Sequence, residues 1–153
     1  MINRAYFPVQ NDPWLLRILS RLNLDKSLTS HRLQVKPVPN SEVDNCFFNV
    51  RNYVNSNGGE IIFGWALWKL ELFFVEAEHH AVFRSIDSSE LQDITPSSDS
   101  GVNYRSFIID QNSKYDFDDD KKRLNNIRVP IYDHPAFYRL IELHKKKGKI
   151  LDK

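Results

Sequence analysis

Apolar residues begin to recur at helical spacing just after Asp12-Pro13. Leu15, Leu16, Ile18, Leu19 and Leu22 fall at intervals of three and four, the mark of an amphipathic helix. Asp is a good cap for such a helix and Pro fits its first turn. Polar and turn-forming residues dominate 25–40, leaving room for one short strand over 32–38. A second helix is expected from Asp44-Asn45 to about Asn55, with Phe47, Val50 and Val54 on one stripe. Asn57-Gly58-Gly59 ends it, because glycine adopts the left-handed conformation at little cost.

Beyond the glycines the period shortens from that of a helix to that of a strand. Residues 60–68 and 72–84 read as two β-strands joined by a turn at 69–71. Asp87-Ser88-Ser89 marks a second turn before a short strand, 90–94, that stops at Thr95-Pro96. A fourth strand is expected over 104–109. Residues 110–126 form a polar excursion in which an acidic run abuts a basic one. Asp133-His134-Pro135 then opens a C-terminal helix with Phe137, Leu140, Ile141 and His144 facing inward, followed by a basic tail, 145–153, expected to fray. Helices, a run of antiparallel strands and a final helix predict a single α+β domain over 1–153, its N-terminal helices packed on an antiparallel sheet.

Composition narrows the function classes. A chain of 153 residues can bury a self-sufficient core. Its single cysteine rules out an intrachain disulfide framework and a multi-cysteine zinc site. A formal net charge of +1 gives no electrostatic footprint for nucleic acid. The longest apolar stretch, 61–75, is interrupted by Lys69 and Glu71 and is too short to span a bilayer, so no membrane partner is expected. No signal-peptide pattern opens the chain, and a cytoplasmic location is expected. No Gly-rich phosphate cradle and no nucleophile-elbow serine are present.

The lone thiol, Cys46, is therefore the residue to account for. Most free cysteines are small buried hydrophobes. This one falls in the first turn of the second helix, where unsatisfied N–H groups and the helix dipole favour a thiolate. His79-His80 follows on a strand, and Asp93 ends the next. On that strand His79 is in register with Val75, Ala77, Ala81 and Phe83, an apolar set, whereas His80 shares a face with Glu76, Glu78 and Val82. His80 is thus the better base. Asp93 taken alone is an ordinary strand terminator before a Thr-Pro turn. With the other two it completes a nucleophile, a base and an orienting acid.

In order, interval and element type, Cys46-Phe47-Phe48-Asn49-Val50, Gly64-Trp65, His80-Ala81-Val82-Phe83 and Asp93-Ile94-Thr95-Pro96 resemble the core of the transglutaminase-like (papain-like) cysteine proteins. The likeness spans 44–96. It departs from the superfamily after the histidine, where Val82-Phe83 stands in place of a nearby Trp. The chain is also similar to small bacterial proteins with Cys-Phe-x-Asn-Val and Glu-Ala-Glu-x-His-Ala-Val segments, which implies an autonomous domain and no particular activity. The first resemblance implies a papain/transglutaminase-like fold with Cys46 as nucleophile, His80 as base and Asp93 as orienter. The implied activity is that of a peptidase, amidase, deamidase or transglutaminase on a peptide or other amide-containing substrate, with no cofactor.

Candidates for the second oxyanion donor, beside the Cys46 backbone N–H, are Asn40, Asn45 and the indoles of Trp65 and Trp68. Trp65 and Trp68 could also wall a substrate cleft, although Trp residues are first of all core candidates. Two other readings compete. One is a non-catalytic binding module of the same fold. The other is a metal site made from Glu76, Glu78 and His80, which share a strand face, but the helical His-Glu-x-x-His spacing is absent. The acidic run Asp116, Asp118, Asp119 and Asp120 lacks the central Gly and terminal Glu of a calcium loop. It reads as a solvated loop paired with Lys121, Lys122 and Arg123.

Overall fold

The apolar run after Gly58-Gly59 folds as a long hairpin around which the other elements are arranged. The computed structural model describes residues 2–3, 12–70, 72–99 and 101–151. In chain order the elements are β1 (Ile2–Asn3), α1 (Pro13–Arg21), β2 (His31–Val35), α2 (Cys46–Asn57), β3 (Glu60–Leu70), β4 (Phe74–Arg84), β5 (Leu91–Asp93), β6 (Tyr104–Ile109), β7 (Ile127–Pro130) and α3 (Pro135–Leu151). A short 3-10 turn covers Asp120–Lys122. The fold is α+β, and no described helix is long and apolar enough to cross a membrane.

β3 and β4 pair along their whole length, from Glu60 opposite Arg84 to Leu70 opposite Phe74. β6 joins the far edge of β3, β2 joins β6, β5 joins β2, and β5 also pairs with β4. Strands β3, β6, β2, β5 and β4 therefore close into a five-stranded barrel, with β1 and β7 flanking the hairpin. The β2–β5 pair is parallel, which corrects the expectation of a purely antiparallel sheet. The reason is topological: β2 comes from the connecting segment before α2 and is inserted between two strands that follow the helix.

Strand alternation sorts the side chains into layers. Leu33, Ile62, Val82 and Phe107 face one another inside the barrel. On the outer face of the hairpin, Trp14, Leu15, Ile18 and Leu19 of α1 pack on Trp65, Leu67, Val75 and Ala77. Phe47 and Val50 of α2 pack on Phe63, Ala81 and Phe83. Leu16, part of the same periodic series, is exposed on the other side of α1.

Most element ends shift by a few residues from the sequence reading, and three differences matter for the fold. β3 runs to Leu70, placing the hairpin turn two residues later than 69–71, because β1 pairs with Lys69 and Leu70. β7 was not expected: Ile-Arg-Val-Pro is short and ends in proline, which suits an edge strand, and Val129 is its core contact. α3 continues to Leu151 where a frayed tail was expected, since Lys residues have good helix propensity. His144 on that helix is exposed, its ring centroid 5.4 Å from that of Phe74.

The free edge of β4 is shared between two partners. Phe74–Ala77 pairs with β7, and Phe83 and Arg84 pair with β5. Between them lies a stretch with no strand beside it among the described residues, and His80 is at its centre. The start of α2 packs against the same stretch, through Cys46 and Phe47 on Ala81.

Candidate active site

Cys46 is the first residue of α2, so its thiol lies in the turn whose N–H groups lack intrahelical partners. The approach to the helix is sharply bent: Asn40 and Asp44 both have positive φ. Asn49, one turn into the helix, fixes this loop. Its side-chain oxygen accepts from the Glu42 N–H at 3.0 Å, and its amide nitrogen donates to the Glu42 carbonyl at 2.7 Å and to Thr95 Oγ1 at 3.2 Å. Thr95 N–H in turn donates to Asp93 Oδ1 at 3.0 Å. One hydrogen-bonded chain thus links the thiol helix to the end of β5.

His80 stands between them. Its Nε2–H donates to Asp93 Oδ2 at 3.0 Å, and the imidazole lines the same cleft as the Cys46 thiol, whose charge acts on it. With Nε2 given to the carboxylate, Nδ1 is the ring nitrogen left for the thiol. The three residues that the spacing singled out are brought together. Cys46 is 3% exposed, His80 4% and Asp93 0%, and Cys46 and His80 line a small cleft.

Arg105, absent from the sequence-derived candidates, is the fourth member. It is 2% exposed, donates from Nη1 to Asp93 Oδ2 at 2.5 Å, and has the same nitrogen 3.1 Å from His80 Nε2. Arginine has no acceptor, so the two nitrogens converge as donors on one carboxylate oxygen. Its guanidinium carbon lies 4.8 Å from the Trp68 ring centroid. The signal for Arg105 was its register on β6, two residues before Phe107, on the face that turns into the barrel. A charged residue on a buried strand face needs a partner.

The electrostatics follow from this packing. Burial alone would push the His80 pKa down, but the negative charges of Cys46 and Asp93 outweigh it and raise it to about 10. Burial would raise Asp93, yet His80 and Arg105 hold it below the usual carboxylate value. The arrangement suits an imidazolium beside the Asp93 carboxylate.

His79, the neighbour on β4, faces the other way. It is fully buried between Phe47 and Trp65, with ring centroids at 4.7 and 5.4 Å, and its Nε2 bonds the Ser113 carbonyl at 2.5 Å. Burial lowers its pKa. Trp65 lies in that outer layer as well. Its indole donates to Asp110 Oδ2 at 2.9 Å, away from the cleft. Asn45 turns its amide to Glu42 Oε2 at 3.1 Å, and Asn40 lines a separate hollow beside α2. Of the suggested oxyanion or substrate-binding groups, Asn45 and Trp65 are therefore not at the cleft, and Trp68 is.

The cleft is narrow, about 20 Å³, bounded by Trp68, Glu78, Arg105, Arg123 and the turn over 95–98. Arg123 and Glu78 approach to 3.8 Å. Glu76 is engaged by Arg128 and Asn126, and among the described residues no three His, Cys, Asp or Glu side chains are grouped to hold a metal. Alternation puts Glu76, Glu78 and His80 on one strand face, with Glu76 held by cationic and amide partners. In the acidic loop Lys122 pairs with Asp116 at 2.8 Å, while Arg123 goes to Glu78 instead. No family model matches the chain, and neither a curated protein nor a solved structure matches it.

Proposed function

We propose that this chain is a cysteine-dependent acyl-transfer or amide-hydrolysing enzyme of transglutaminase-like (papain-like) type. Cys46 is the nucleophile, His80 the general acid and base, and Asp93 the group that orients the imidazole. The observation that carries this reading is the position of His80, enclosed between a thiol at a helix start and a fully buried carboxylate. The helix that carries the thiol, packed on a barrel strand that carries the histidine, supports the same assignment.

The chemistry divides into two steps. The Cys46 thiolate adds to the carbonyl carbon of an amide or ester, and the π pair moves to oxygen. That oxyanion forms beside the first turn of α2, where backbone N–H groups point outward, with Trp68 on the cleft wall. The C–N or C–O bond breaks as His80 gives its Nδ1 proton to the leaving group, and a thioester remains. Water or an amine then adds, His80 takes its proton, and the C–S bond breaks to return the thiolate. Peptides and other amide-containing molecules are the substrate class, and a reducing cytoplasmic setting suits the free thiol.

A non-catalytic binding module is the second reading, and the cleft volume favours it. At about 20 Å³ the cleft is small for a substrate-binding site. Alkylation by iodoacetamide separates the two. In the enzyme, Cys46 reacts below neutral pH many times faster than a free thiol does, and His80→Ala removes the excess. A thiol inert until denaturant unfolds the chain overturns the enzyme reading.

A further inference from the structure

Arg105 is the member of the buried charged group to which the chemistry above gives no part. We infer that Arg105 is a positioning residue that sets the protonation balance of the Cys46–His80 pair through the carboxylate it shares with His80. The inference rests on reading Cys46 as an activated thiol.

Asp93 Oδ2 takes two donors, His80 Nε2–H at 3.0 Å and Arg105 Nη1–H at 2.5 Å, while Oδ1 takes the Thr95 N–H at 3.0 Å. The carboxylate is held from both ends and cannot rotate away from the imidazole. Arg105 also changes the charge count. Guanidinium and carboxylate cancel, and so do imidazolium and thiolate, so the enclosed group is neutral as a whole. Without the guanidinium, formation of the thiolate adds a negative charge to a site that already holds an uncompensated carboxylate. In a poorly solvated site that cost is large.

Other charged groups face the pair from every side. Glu78 shares the strand face of His80 on β4, His79 beside it points to the opposite face, and Asp44 precedes the thiol on the loop into α2. Arg123 reaches in from the loop before β7, and Tyr115 belongs to the same buried cluster as Cys46, with its hydroxyl given to Asp120. Arg123 is engaged with Glu78, and His79 with the Ser113 carbonyl. The ion pairs of Asp93 are with His80 and Arg105. Arg105 is therefore the cation whose loss leaves the carboxylate charge unbalanced.

The test follows the rate of Cys46 alkylation by iodoacetamide against pH in the full chain, for wild type, Arg105→Gln and Arg105→Lys, with circular dichroism reporting the folded fraction. Arg105→Gln is expected to move the acidic limb of the profile upward by at least about one pH unit, roughly a tenfold loss of rate on that limb. Arg105→Lys, which restores the charge, keeps the wild-type midpoint. A folded Arg105→Gln protein with the wild-type midpoint overturns the role, since an arginine that only fills space would leave the limb in place. If the Gln variant does not fold, Arg105→Lys decides: an unmoved midpoint supports the charge role and a shifted one overturns it. A wild-type profile like that of a free thiol removes the activated-thiol reading and this inference with it. An activated wild type with an unmoved Gln variant removes this inference alone.

Discussion

The amide of Asn49 holds two chain segments against the helix that carries the thiol. It bonds both backbone groups of Glu42 and the buried hydroxyl of Thr95, and through Thr95 it reaches the carboxylate that orients His80. Asn49→Ala removes all three bonds. Water can replace the two on the exposed Glu42, but Thr95 is buried and would lose its donor. The expected loss is about 2 kcal/mol, read as a lower urea midpoint at unchanged slope, and a loss below a few tenths of that would show that the link carries no strain. Legibility at this scale divides along chemistry. Cys46, His80 and Asp93 could be named in advance because a helix start, strand alternation and a Thr-Pro turn each restrict what a side chain can face. Asn49 could not, because hydrogen bonding to a loop depends on contacts between segments distant in sequence, and for Arg105 the register with Phe107 gives a buried face but not the partner across the closed barrel.

Gly64 shows the same limit at the level of elements. It lies on β3 opposite both His80 of β4 and Ile109 of β6. A Cβ there would stand 2.1 Å from the Ile108 carbonyl oxygen and 2.7 Å from the Phe107 ring. The strand alone offers no reason for a glycine, and closure of the barrel supplies one: β6 crosses close enough to exclude a methyl group. Gly64→Ala should cost about 3 kcal/mol, at the upper end of overpacking penalties, and thermal unfolding checks it. A melting temperature unchanged from wild type would mean that β6 can move without loss. Both N-terminal helices were legible from periodicity, since each buries one stripe against the sheet, and the long hairpin was legible as two continuous runs of β-forming residues buried on both faces. β7 and the parallel β2–β5 pair were not. The first is four residues long and follows a polar loop, and the second depends on where a connecting segment is threaded rather than on its own pattern.

At the scale of the whole molecule, the enclosed charges tie folding to pH at both ends of the range. The Asp93 carboxyl is held below its ordinary value of 3.8 by His80 and Arg105 against the opposing effect of burial. Its contribution to stability is complete above that value and disappears as pH falls through the lower value of the folded state. His80 works in the opposite sense. Burial opposes its proton, but Cys46 and Asp93 raise its pKa from 6.5 to about 10. Folding therefore gains from the imidazolium in full below 6.5, and that gain is lost as pH rises toward 10. Ordinary carboxylates do not titrate between these two values, and the remaining groups that do, such as tyrosines and the α-amino group, are common to wild type and variant, so a difference between the two in this window reports on the thiol–imidazole pair. Cys46→Ser deletes the negative partner, lowers the pKa of the folded imidazole and shrinks the window. Urea midpoints measured from the carboxylate range to about pH 10 should fall on the alkaline side for wild type and fall less for Cys46→Ser. Superimposable alkaline limbs would mean that no charge on Cys46 holds the proton on His80, and the electrostatic basis of the thiolate–imidazolium pair would be lost.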